Sequence, residues 1–192
     1  ESLYDIFTIT YNGTLYKTQP IEIFLDAIKL LIDESMENGN PIQVFFPGLG
    51  YSVQQADRVN KYMSDYSKHI KITDRITKKE VMEIQSRSHL LLMIAHHGIK
   101  GIPSSKIFEY IGLRKNILLT PTDNDVLEHL VKSTGLGYSG NSVKEVYEII
   151  KVQMNNWYTN HTIKTNKVEK EILNYSRKEQ SKKLAFLLNK LN

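Results

Sequence analysis

A chain of 192 residues, 41% hydrophobic and 24% charged, has the composition of one globular domain, which excludes disorder as a description of the whole. It contains no cysteine, which excludes disulfides and zinc–thiolate sites and leads us to expect a cytoplasmic protein. The net charge of +4 is uneven: from Asn160 to Asn192 eight Lys or Arg stand against three acids, and the rest of the chain carries 17 against 18. The body is therefore not a nucleic-acid surface by charge. The tail reads either as a solvated helix face or as a contact for anionic lipid at the inner face of a membrane, or for an acidic partner. No apolar run approaches the ~18 residues of a membrane span, and no secretory signal is visible. The chain opens on Glu1 rather than Met, as a piece of a longer protein does.

In chain order, Asp5–Tyr11 reads as a strand. Pro20 then stands at a first helical position, with Ile21, Leu25, Ile28 and Ile32 on one stripe. Ile42–Phe46 is a strand, Arg58–Ser67 a weaker and more polar helix, and His69–Thr73 a third strand. Thr77 and Glu80 form a capping box that opens a helix. His89–Ala95 is nearly all apolar, as a strand buried on both faces requires. Ser104 or Ser105 caps the helix "SKIFEYIG", which Gly112 ends. Its Ile107, Phe108 and Ile111 are expected against the sheet. Asn116–Thr120 is a fifth strand, and Asp123 or Asn124 caps "VLEHLVK". Capping boxes recur at Ser142–Glu145 and Ser176–Glu179, and the last one opens a helix with Leu184, Leu187, Leu188 and Leu191 on one face. Asn156–Asn166 reads as a linker, so we divide the chain into a domain over 1–160 and a basic helical extension over 161–192.

Alternating strands and helices predict an α/β fold: a Rossmann-like, doubly wound parallel sheet, with strand order 3-2-1-4-5 as the leading candidate. In such a sheet ligands bind beyond the carboxyl ends of the strands, where the winding reverses. Between strands one and four, that crevice is bordered by Asn12–Gln19 and His96–Ser105, two polar loops that contain glycine. Gly13 tolerates a positive φ and lets a diphosphate approach the backbone. The second loop runs into the N-terminus of a helix, where free N–H groups and Lys106 suit a phosphate. Glu109 leans back over that first turn. A carboxylate beside a phosphate is repelled by it, but two vicinal hydroxyls can donate to both its oxygens. On these residues alone two readings of Glu109 stay open: a ribose ligand, or a solvent-facing acid that the helix dipole favours.

Other residues carry weaker signals. His96 and His97 point to opposite sides of an extended segment, so they do not share a metal; His97 is a candidate phosphate contact. Tyr16 either stacks on a ligand or packs over the first helix. Gly48-Leu49-Gly50 lacks both the dinucleotide fingerprint and the Lys-Ser/Thr pair of a P-loop. Trp157 is either an interfacial anchor or a packing residue at a helix end.

The segments "YNGTLY…PIEIFLDAIKLLID", "IQVFFPG", "DRITKKEVMEIQSRSHLLLMIA", "IPSSKIFEYIGLRKNILLTPTDNDVLEHLVKSTGLGY" and "YSRKEQSKKLAFLLNKL" together resemble the C-terminal, donor-binding domain of glycosyltransferase family 4 enzymes of bacterial surface-polysaccharide type. That resemblance implies one half of a GT-B fold and a nucleotide-diphosphate sugar as substrate. It also implies retention of anomeric configuration, no required metal and no other cofactor. Glu109 matches the second acid of the family's E-x7-E motif, which holds the ribose hydroxyls. The nucleotide is then expected at Glu109, Gly13, Thr14, Arg75 and Ile76, and the diphosphate at Ser104, Ser105, Lys106 and His97. The first acid of the motif falls on Gly101, the first-loop Arg on Thr14 and its nearby Lys on Gln19, so no catalytic residue is assigned. The resemblance also implies a partner domain that recruits the acceptor, on which the final helix would pack. Without it we expect that helix to fold back, dimerise or be mobile. Two further readings stay open: a GT-B sugar-nucleotide epimerase, and a degenerate donor domain used for assembly.

Overall fold

The structure is a computed structural model and describes residues 2–190. Six strands form one all-parallel sheet: β1 (Phe7–Thr10), β2 (Ile42–Phe46), β3 (Ile70–Ile72), β4 (Leu90–Met93), β5 (Ile117–Leu119) and β6 (Gly137–Ser139). Their spatial order is β3-β2-β1-β4-β5-β6, the predicted order extended by one strand. β6 is the element that periodicity missed. It has three residues, one of them Gly137, and is defined by its pairing with β5 rather than by an apolar run.

Alternation along β4 divides the interior in two. Leu90, Leu92 and Ile94 join a core with Phe7, Ile9, Tyr11 and Val44 beneath α1 (Glu22–Asn38), α2 (Val53–Tyr62) and α6 (Val143–Asn160). Leu91, Met93 and Ala95 face the other way. They pack with Ile107, Tyr110 and Ile111 of α4 (Ser105–Gly112), Leu127, Leu130 and Val131 of α5 (Val126–Thr134), and Ile172 of α7 (Glu169–Asn174). The stripe Ile21, Leu25, Ile28 and Ile32 is wholly buried, as its spacing predicts.

On the face that carries α3 (Lys78–Arg87), β1 is polar, with Phe45 of β2 beside its Thr10. β1 turns Thr8 and Thr10 to this side, opposite its Phe7 and Ile9. Thr10 Oγ1 lies 2.7 Å from Ser88 Oγ, which itself donates to the Ile84 carbonyl at 2.6 Å. Gln43 Nε2 donates to Thr8 Oγ1 at 2.9 Å. The only residue that α3 buries is Gln85.

Several local expectations need correction. Pro20 lies outside α1, whose first helical residue is Glu22 after Ile21 at the cap. The polar helix spans Val53–Tyr62, not Arg58–Ser67, and a 3-10 stretch, Ser64–His69, follows it. The proposed linker from Asn156 is helical to Asn160, because α6 has a capping box at its start and ends in His161 at φ 51°. Phe108 is 40% exposed, and Tyr110 takes the core position instead. At Ser176 only half a capping box forms: the hydroxyl accepts from Glu179 N, while the Glu179 carboxylate binds Lys182 at 2.6 Å. The last helix, α8 (Arg177–Asn189), buries none of its residues, and Leu184, Leu187 and Leu188 are more than half exposed. It does not fold back on the domain. Leu191 lies outside the described residues. Among those described, no helix is long and apolar enough to cross a membrane.

Candidate functional site

The winding reverses where β1 pairs with β4, Ile9 against Leu90 and Thr10 against Leu91. Beyond the ends of these strands the two flanking loops are laced together. Gln19 Nε2 donates to the Ile94 carbonyl at 2.6 Å, His97 N to the Thr18 carbonyl at 2.7 Å, and Thr18 Oγ1 lies 2.6 Å from His96 Nδ1. Gln19 is 4% exposed, and its Oε1 also accepts from Tyr16 N and the Tyr11 hydroxyl. It is a structural clasp. The His97 side chain stays exposed.

Gly13 has φ 80°, and its N–H donates to the Pro47 carbonyl at 2.9 Å. It packs against Gly48, where a β-carbon would come within 3.6 Å of Gly13 Cα. Gly48 itself has φ 83°, and a β-carbon at Gly50 would stand 3.0 Å from the Thr73 carbonyl, so these glycines serve the backbone. Thr14 is exposed, and its carbonyl receives the Lys106 ammonium at 3.0 Å. Lys106 Nζ also donates to the Tyr11 hydroxyl at 3.1 Å, over whose ring it lies at 4.5 Å. Lys106 therefore ties the first turn of α4 to the loop after β1. Burial pushes its pKa down to about 8, partly offset by the Glu109 carboxylate. Burial also raises the Tyr11 and Tyr110 hydroxyls well above their ordinary range, so neither serves as a base. Ser104 caps α4, its hydroxyl accepting from Lys106 N at 3.3 Å, while Ser105 is exposed beside it.

An open pocket of about 290 Å³ lies between α3 and α4, lined by Asn12, Ile76, Lys78, Val81, Met82, Gln85 and Glu109. Lys78, Val81, Met82 and Gln85 follow a helical i, i+3, i+4, i+7 spacing, so one face of α3 forms a whole wall. Glu109 stands in the pocket with an exposed carboxylate that makes no hydrogen bond or salt bridge among the described residues. Of the sequence-predicted site residues, the structure brings Glu109 and Ile76 into this pocket. Gly13, Thr14, Ser104 and Lys106 lie together at the adjoining start of α4. Arg75 does not line the pocket, and its guanidinium lies 3.5 Å from the Tyr51 ring centre. Tyr16 is 53% exposed and tilts against His96 at 5.4 Å rather than covering α1.

Gly101, where the motif that the sequence resembles has its other acid, has φ 73°, and its N–H donates to Asp125 Oδ2 at 2.7 Å. The loop geometry there disfavours any side chain.

The wall residues Lys78, Val81, Met82 and Gln85 were not singled out from the sequence. The capping box at Thr77 fixes the phase of α3 and could have exposed their shared face.

No protein-family model and no curated protein matches the chain. Solved structures do. A glycosyltransferase from Rickettsia africae ESF-5 superposes with TM-score 0.61 at 12% identity, over 82% of this chain and 40% of its own. The pneumococcal O-GlcNAc transferase GtfA, solved with UDP and GlcNAc, gives 0.60 at 13% over 96% and 35%. The UDP co-structure of S. aureus MnaA gives 0.57 at 15% over 82% and 38%. This chain has their fold. It spans about two fifths or less of the length of these neighbours.

Proposed function

We propose that this chain binds the nucleotide-sugar donor of a retaining glycosyltransferase. The acceptor, a carbohydrate or lipid-linked saccharide, would be recruited by a further GT-B domain. The reading rests on one observation above the others: the Glu109 carboxylate, unpartnered among the described residues, in a pocket that also contains Ile76, next to the start of α4. Two vicinal ribose hydroxyls satisfy that carboxylate with charge-assisted hydrogen bonds. A diphosphate then reaches the exposed Ser105 turn, Lys106 and the glycine backbone at Gly13. The UDP in two structures of this fold agrees in chemical class. Transfer needs stabilisation of the leaving diphosphate, and Lys106 is the cation nearest to that role.

A second reading, nucleotide binding without transfer, draws on Gln19 and Gly101. Both positions are committed to holding loops rather than to chemistry. Calorimetric titration of UDP, GDP and ADP tests the shared part. We expect weak binding of a uridine diphosphate, no sugar transfer by this chain alone, and at least tenfold loss in Glu109→Ala, since hydrogen bonds to a charged group contribute ~1.5–3 kcal/mol. No binding at millimolar nucleotide, or amide shifts far from Gly13 and Glu109, refutes it. Assay of the longer parent chain with saccharide acceptors separates the two readings.

A further inference from the structure

Gln85 is 1% exposed, lines the pocket that contains Glu109, and has no hydrogen-bond partner for Nε2 among the described residues. It is also the only residue that α3 buries. A helix that docks through a single position ordinarily places an aliphatic side chain there. A buried amide N–H left without an acceptor costs about 1–3 kcal/mol, which Met or Leu would avoid. The polar side chains on this face of the sheet are engaged elsewhere. Ser88 is engaged with Ile84 and Thr10, and Thr8 with Gln43. Asn12, which also lines the pocket, donates its backbone N–H to the Tyr110 hydroxyl in a long contact of 3.5 Å.

We infer that Gln85 is a ligand-binding residue. Its carboxamide donates to an oxygen of the nucleoside held between α3 and α4, opposite the carboxylate of Glu109. The terminal torsion of Gln is broad, so the amide turns into the pocket without movement of the helix. The two side chains are complementary in kind: Glu109 only accepts and reads hydroxyl hydrogens, whereas Gln85 supplies a donor to an oxygen. The destabilising amide is thus satisfied only when a nucleoside is present. This inference rests on the nucleotide reading of the pocket.

The test compares wild type with Gln85→Met, which keeps the unbranched length, and with Glu109→Ala, by calorimetric titration of UDP and of uridine and by thermal unfolding without ligand. Gln85→Met should bind UDP about tenfold more weakly, the usual cost of one unpartnered hydrogen bond. It should lose the same factor for uridine, because the contact is to the nucleoside. Its ligand-free Tm should equal or exceed that of wild type. Should Met prevent folding, Gln85→Leu carries the same comparison. Unchanged UDP affinity in Gln85→Met alongside weakened binding in Glu109→Ala overturns this inference alone. A lowered Tm with unchanged affinity makes Gln85 structural and overturns it as well. Failure of wild type to bind UDP overturns both the pocket's reading and this one.

Discussion

Lowering the pH should destabilise this domain through His89. That ring is 2% exposed, stacks on Phe7 at 4.7 Å and meets Trp157 edge-on at 4.5 Å. Its Nδ1 accepts the Thr8 N–H at 2.9 Å, which fixes the neutral tautomer with the proton on Nε2. Burial, reinforced by the nearby Lys115 charge, pushes the pKa down from 6.5 to about 3. A depressed folded pKa means that the unfolded chain takes up the proton first, so the contribution is complete above pH 6.5 and is lost as the pH falls towards 3. Each pH unit inside that window costs up to about 1.4 kcal/mol, so about 2–3 kcal/mol is gone by pH 4.5. Domains of this size have about 5–15 kcal/mol in total. Urea unfolding at pH 7.5, 5.5 and 4.5 measures the slope. In His89→Gln, whose amide oxygen can still accept from Thr8, stability should be lower at pH 7.5 but the slope should flatten. An equally steep slope in that variant, or an imidazole of His89 that titrates near 6.5 by NMR, refutes the reasoning.

Two other outcomes follow from the site. Because Lys106 titrates at about 8 when unliganded, diphosphate binding above that pH must draw in a proton, and UDP affinity should fall by up to about tenfold per unit from pH 8 to 9.5. Calorimetry in buffers of differing ionisation enthalpy detects the uptake, and Lys106→Met should abolish it while weakening UDP more than uridine. Gly50 N donates to the Thr73 carbonyl at 3.0 Å, and a β-carbon there would stand 2.6 Å from Asp74 Oδ1 and 3.0 Å from that carbonyl. Gly50→Ala should therefore displace the loop that leads to Ile76, cost about 1–3 kcal/mol by urea unfolding and lower UDP affinity several-fold.

The parts of the fold that were legible in advance are those with dense local signals. β4 could be read because four consecutive apolar residues need two cores, and α3 and α6 because Thr77 and Ser142 with their partner acids mark a helix start without reference to the rest of the chain. β6 was not legible, since three residues paired through their backbone to β5 leave no periodicity. In the site, the position of Glu109 near the start of α4 could be read from helix phase, while in the sequence its ribose role rests on the resemblance alone. The residues tied up in tertiary contacts could not be read. Gln19 looks like any loop glutamine until the Ile94 carbonyl is seen beside it, and Arg75 looks available until Tyr51 claims it. Gly101 marks the same boundary. Its departure from the motif that the sequence resembles was visible, but not that its backbone already adopts a left-handed conformation that disfavours a side chain.

The polar patch of sheet under α3 has a consequence for order rather than for recognition. α3 has no fully buried apolar residue, so its local opening should be among the less costly motions of the helices that cover the sheet. A nucleoside seated against Lys78, Val81, Met82 and Gln85 would act as the core this face lacks. Affinity for the ligand and the order of α3 then become one quantity, and part of each binding event is spent on completing the fold.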